Sequence, residues 1–151
     1  MGKRLLMVLF AAALVVAGCG DDDENGASGG DASGDEVADL QLSSSDLGEI
    51  LVDADGNTLY LFVPDAQGDS TCYDECEANW PIVGELSSVG DGLDAGLLGT
   101  TERTTGDTQA TYNGWPLYFF AADAAAGDTN GQGVNDVWYV VDAGGNAIGA
   151  G

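Results

Sequence analysis

Cys72 and Cys76, in "CYDEC", are the most reactive side chains in the body of this chain. A thiol pair can bridge, cycle between oxidation states or hold a metal. The CxxxC spacing differs from the CxxC of thiol oxidoreductases, and no CxxCH is present for haem attachment. A structural disulfide is therefore expected ahead of a redox pair, and closing so short a loop stabilises by about 2 kcal/mol on the chain-entropy model. A second candidate is oxygen-rich: "DTNGQGVND" offers Asp128, Asn130, Gln132 and Asp136 at a spacing reminiscent of calcium loops. Tyr139 stands where a bidentate acid would complete such a loop, and a plain glycine-rich connection is the structural alternative. Calcium is the one cofactor considered; otherwise none is expected. The chain has no histidine, so zinc, copper and haem iron lack their commonest ligand and imidazole catalysis is excluded.

The third candidate comes twice. "LYLFVPD" at 59–65 and "LYFFAAD" at 117–123 superpose at a shift of 58 residues, placing Tyr60 on Tyr118, Phe62 on Phe120 and Asp65 on Asp123. The same shift carries Thr71 onto Thr129, Trp80 onto Trp138 and Val83 onto Val141, which marks an internal duplication. Alternate residues of a strand share a face, so each Tyr/Phe pair presents two rings to one surface. Such rings could stack a sugar or quinone-like ligand, but packing between two pseudo-symmetric halves is the reading favoured for them and for both tryptophans. Trp115 has no aromatic counterpart and is the ring expected to be exposed. Asp65 and Asp123, just past their strands, are expected to accept backbone amides in Asx-type turns. A pair of carboxylates acting on a glycoside has no other support in the sequence.

The elements that position these residues read as β. Asp55-Gly56 and Asn113-Gly114 are type I′ turn signals, predicting hairpins of "EILVD" with "TLYLFV" and "QATY" with "WPLYFF". The second strand of each is apolar on both faces and belongs inside a sandwich or barrel. "VWYVVDAGGNAI" is expected to close the second copy and "WPIVGEL" the first. "LLGTTERTTGDTQATYN" reads as strand, turn and strand, and "GDGLDAG" as a loop or single helical turn. The fold class is all-β: two pseudo-symmetric antiparallel repeats, about 47–89 and 105–147, form one sandwich- or barrel-like domain over 47–151.

Ahead of that domain lies a different kind of sequence. Lys3 and Arg4, the apolar run Leu5–Val16 and then "AGC" have the layout of a signal peptide over 1–18. The small-small-Cys ending resembles the bacterial lipobox, which implies diacylglycerol on Cys19 and durable anchoring by more than one acyl chain. Residues 19–46, rich in Gly, Ser and acids, read as a disordered tether reaching about 30 Å from the lipid. All 26 acids follow Cys19 and Arg103 is then the only base, leaving a side-chain charge near −25. Such a field repels nucleic acid and anionic head groups.

Together, the two Tyr-x-Phe-x-x-Asp strings, "STCYDECEANWP", "TYNGWPLY" and "GDTNGQGVNDVWYVVD" closely resemble predicted bacterial lipoproteins described as a secreted repeat of unknown function. The likeness spans nearly all of 47–142. It implies export, frequent lipid anchoring, duplicated repeats and no established activity. The expected protein is a non-enzymatic binding or structural lipoprotein on the extracytoplasmic side of the cell membrane, meeting an unknown envelope partner or small ligand. A calcium-dependent or redox-active accessory module is the alternative.

Overall fold

The computed structural model describes residues 37–151, so the signal peptide, Cys19 and most of the tether lie outside the described residues. Among the described residues the fold is all-β, with antiparallel ladders, one short α-helix at Glu75–Asn79 and three single 3-10 turns. Its first hairpin pairs β1 (Leu40–Ser45) with β2 (Gly48–Asp53), Leu42 opposite Leu51 and Ser45 opposite Gly48. This corrects the tether boundary at 46. Leu40 and Leu42 alternate with polar residues; Leu40 is fully buried and Leu42 packs against the same core. The polar "SSSD" stretch that follows masks this strand in the sequence.

β2 then turns toward β3 (Tyr60–Phe62), but this hairpin is narrower than expected. It consists of a single bridge, Val52 to Thr58, with Leu59 N–H donating to the Leu51 carbonyl at 3.1 Å. Its turn is not type I′. Gly56 has φ 90° while Asp55 does not take positive φ, and Gly56 N–H donates to the Asp53 carbonyl at 3.0 Å. That is a three-residue loop ending in a glycine bulge. The second hairpin keeps the two-residue type I′ turn, with Asn113 at φ 54° and Gly114 at φ 79°. It joins β5 (Thr108–Tyr112) to β6 (Trp115–Pro116), and β4 (Leu98–Glu102) pairs along the other edge of β5. Within 90–97, a single helical turn at Ala95–Leu97 is capped by the Asp94 carboxylate.

The closing segments exchange partners. β7 (Trp138–Val140), in the second copy, pairs with β3 of the first, Tyr60 opposite Val140 and Phe62 opposite Trp138. Reciprocally, Ile82 of the first copy bridges Tyr118 of the second, and Phe119 N–H donates to the Pro81 carbonyl at 2.7 Å. "WPIVGEL" is thus an extended segment rather than a full ladder strand, since Pro81 has no N–H to give. Each copy closes the other, not itself. Between them, Tyr60 and Tyr118 exchange N–H to carbonyl bonds of 2.9 and 3.0 Å, which puts the pseudo-twofold axis between these two residues.

Strand alternation divides the core. Leu59, Leu61, Leu117, Val83 and Val141 fill an aliphatic cluster, while Tyr60, Tyr118, Trp80, Trp138 and Val140 fill an aromatic one. The exchange has a direct consequence for fragments. Peptides 37–91 and 92–151 should each be unfolded alone and regain the native far-UV spectrum when mixed at equal molarity. A spectrum already native for either fragment by itself would contradict the exchanged closure.

Candidate functional site

The aromatic cluster lies on the pseudo-twofold axis and brings together the residues that recur in the sequence. Trp80 and Trp138 stack on each other with centroids 3.7 Å apart and planes 3° from parallel. Phe120 stacks on the outer face of Trp80 at 4.1 Å and Phe62 on that of Trp138 at 4.3 Å, making a four-ring column. Tyr60 and Tyr118 set their edges against the column, 5.4 Å from Trp80 and 5.1 Å from Trp138. Each aromatic pair of this kind adds about 0.5–1.5 kcal/mol beyond its buried area. The tryptophans are 5% and 2% exposed and the tyrosines fully buried, so the column is interior; only its end rings, Phe62 and Phe120, are half-buried. Trp115, expected to be exposed, is half-buried against the aliphatic cluster.

The tyrosine hydroxyls cross between the copies. Tyr60 donates to Asp123 at 2.6 Å and Tyr118 donates to Asp65 at 2.7 Å. Neither aspartate therefore forms only the local turn expected of it. Asp65 also accepts the amide and hydroxyl of Thr71, and Asp123 accepts the amide of Asn130. Since each tyrosine spends its proton on a carboxylate, its oxygen is left to accept. Gly131 N–H serves Tyr60 at 3.1 Å, and the Ser70 hydroxyl serves Tyr118 at 2.6 Å.

Arg103, the single Lys or Arg beyond position 4, is not a surface charge but is 3% exposed. Its guanidinium donates to Ser70 Oγ at 2.5 Å, Gln109 Oε1 at 3.0 Å, the Cys72 carbonyl at 2.8 Å and Glu77 at 2.6 Å, and lies 4.1 Å over the Tyr73 ring. A chain of donors thus runs from Arg103 through Ser70 and Tyr118 to Asp65. No motif marks Arg103 in the sequence; its one signal is that it is the single Lys or Arg beyond position 4, in a chain with 26 acids.

Cys72 and Cys76 form a disulfide, with Cys72 buried and Cys76 lining a cleft of about 380 Å3 beside Phe62, Trp80 and Trp138. The four residues considered for calcium are spread over other tasks. Asp128 accepts the amides of Ala124 and Ala125, while Gln132 accepts from Val140 N–H and donates to the Ile148 carbonyl. The Asn130 contact with Asp123 uses its backbone, and Asp136 is exposed as the last residue of the single turn Val134–Asp136. Among the described residues, no group of three or more Cys, Asp or Glu side chains is placed to hold a metal ion.

Fold and site together define a duplicated β domain whose two copies are closed by exchanged strands around a shared aromatic column. A family model described as a secreted repeat of unknown function matches the chain twice, over residues 42–84 and 99–142, and the chain belongs to that family. The first match begins within β1 and the second within β4, so each strand opens its own copy. No curated protein and no solved structure matches the chain.

Burial, reinforced by the neighbouring carboxylates, pushes both tyrosine hydroxyls well above their usual range. Burial likewise raises the Asp65 carboxyl, against the lowering effect of Thr71, Tyr118 and Arg103. For the tyrosines the linkage sign is clear. Unfolded tyrosines ionise near pH 10 while the folded pair keeps its protons, so above that pH the unfolded state binds fewer protons and stability falls as pH rises. The expected slope approaches about 2.7 kcal/mol per pH unit for the pair. Urea unfolding between pH 8 and 11 measures it, with the slope halved in Tyr60→Phe. Replacing Arg103 by Met should cost about 3 kcal/mol, because Ser70, Gln109 and the Cys72 carbonyl lose a buried charged donor. A loss under 1 kcal/mol in chemical unfolding would show that the network is dispensable.

Proposed function

We propose that the protein is a lipid-anchored, non-enzymatic binding or structural domain displayed on the extracytoplasmic side of the cell membrane. The observation that carries this reading is the mutual satisfaction of the groups that looked reactive. Each Tyr hydroxyl is bound to the opposite copy's aspartate, at 2.6 and 2.7 Å, and the carboxylates accept further donors from their own loops. Groups held in this way serve as buried connectors, whereas an acid or base in catalysis must be free to exchange a proton with substrate. A chain without histidine also has no imidazole to activate a Ser or Cys nucleophile. On this reading the disulfide is a staple, tied into the fold through the bond from Arg103 to the Cys72 carbonyl, and no cofactor is required.

Membership of a secreted family supports export, and the "AGC" ending at Cys19 supports the anchor. The acidic stretch after Cys19 would keep the domain away from the lipid surface. Detergent phase partitioning tests the anchor. Wild-type protein from cells should enter the Triton X-114 phase, while Cys19→Ala should move to the aqueous phase; wild type found in the aqueous phase contradicts anchoring. In the same samples EDTA should leave the melting temperature unchanged, and a rise of several degrees on adding calcium would favour the calcium-dependent alternative.

A further inference from the structure

The cleft beside the aromatic column is built from both copies. Its lining takes Glu75 and Asn79 from the short helix of the first copy, Asn135 from the Val134–Asp136 turn of the second, and the rings of Phe62, Trp80 and Trp138. Its volume of about 380 Å3 falls within the roughly 300–1,000 Å3 typical of small-molecule sites. Duplication does not account for the polar part, because Glu75 and Asn79 correspond to Gly133 and Val137 in the other copy.

Both tryptophans lack an acceptor. Trp80 is 5% and Trp138 2% exposed, yet among the described residues neither indole N–H donates a hydrogen bond, although an indole buried this deeply usually finds a partner. Neither nitrogen is sealed off, since among the described residues the fully enclosed unpartnered side-chain atoms are Thr58 Oγ1 and Arg103 Nε alone. Whatever serves these two donors comes from outside the described chain. The polar groups of the cleft are equally uncommitted. The Glu75 carboxylate accepts from no described residue, and Arg103 pairs with Glu77 instead. Asn79 gives its Nδ2 to the Glu75 carbonyl at 3.0 Å, which leaves its Oδ1 to accept, and the Asn135 amide bonds to no described residue. Glu75, Asn79 and Asn135 are all exposed, so each can meet a ligand. The chain around them is strained: Asp74 enters the helix at φ 57°, and Asn135 and Asp136 stand at φ 54° and 60°. Non-glycine residues held in this region gather at ligand clamps.

We propose that this cleft binds a neutral pyranoside, its C–H face on Phe62 and its hydroxyls exchanging hydrogen bonds with Glu75, Asn79, Asn135 and the indole N–H groups. The chemistry selects this class. A sugar hydroxyl both donates and accepts, so one ring can serve a carboxylate, two amides and N–H donors together. A quinone only accepts and leaves Glu75 unpaired. It also needs a ring face to stack on, and both faces of each tryptophan are already covered. An alkylammonium only donates and leaves both indoles unserved. A uronate or sugar phosphate is repelled by Glu75 and by the side-chain charge near −25.

This inference names a ligand class for the binding domain proposed above and rests on that reading. Nuclear magnetic resonance tests it on the isotope-labelled full-length protein in dodecylphosphocholine, a detergent without a sugar head group. Methyl β-glucopyranoside, N-acetylglucosamine and glucuronate are titrated at matched ionic strength while the indole N–H resonances are followed. The Trp80 and Trp138 resonances should shift saturably with at least one neutral sugar and stay fixed with glucuronate. The Trp115 resonance, assigned by its loss in Trp115→Phe, should stay fixed with all three. Asn135→Gly should weaken binding about tenfold through one lost hydrogen bond while keeping the fold, since glycine takes positive φ freely. Absence of a saturable shift with both neutral sugars, an equal response to glucuronate, or unchanged affinity in Asn135→Gly overturns the proposal. Each of these results leaves the partitioning and EDTA outcomes standing, and those judge the broader reading.

Discussion

The structure depends on one reciprocal pair. Tyr60 and Tyr118 bond to each other through their backbones on the pseudo-twofold axis, and each sends its hydroxyl to an aspartate of the opposite copy. A buried tyrosine hydroxyl must find a partner or cost about 1–3 kcal/mol, and here the partner lies outside the tyrosine's own repeat. The repeat is therefore not a self-contained unit. Its closing strand, its ring stack and its buried carboxylate are all completed by its twin, which explains why the two copies share one core rather than forming two domains joined by a linker.

The same symmetry governs the rings. A residue close to a twofold axis meets its own mate, and Trp80 on Trp138 is that case. Stacking the phenylalanines outside the tryptophans then requires space beside Tyr60 and Trp80. A Cβ on Gly131 would fall 2.7 Å from Trp80 and 2.9 Å from Tyr60, so this position cannot carry a side chain. The equivalent residue of the first copy is Tyr73, whose ring lies under Arg103. One position thus answers two demands: glycine where the rings crowd, and an aromatic surface where a cation is held.

Much of this was legible because duplication doubles every signal. The 58-residue shift identified the pairs Tyr60/Tyr118, Asp65/Asp123 and Trp80/Trp138 before any geometry was known, and the Asn113-Gly114 turn was fixed by its need for two positive φ angles. What remained hidden was the direction of pairing. A repeat that closes itself and one that closes its twin have identical hydrophobic patterns, since both bury the same strands. β1 was hidden for another reason: with Leu40 and Leu42 its only large apolar residues, it depends on the core it covers rather than on its own composition. Arg103 was read as residual charge because sequence patterning treats a lone base as surface, whereas here Ser70, Gln109, Glu77 and a carbonyl converge on it from distant segments.

Symmetry also shows where the copies have parted. The first copy supplies the loop that is locked, with the disulfide, Thr71 on Asp65, and Ser70 and the Cys72 carbonyl held by Arg103. The second replaces Cys72, Tyr73 and Cys76 with Asn130, Gly131 and Val134, and backbone amides do the work of the missing side chains. Both solutions satisfy the tyrosine and its carboxylate, so stability alone does not require them to differ. A duplicated fold under purely structural demand would gain as much from two staples as from one. Asp123 of the second copy, with neither staple nor cation beside it, borders a cavity whose opposite wall, Asn57 and Thr58, comes from the first copy. The copies diverge outside the shared column, because the column is spent on holding them together.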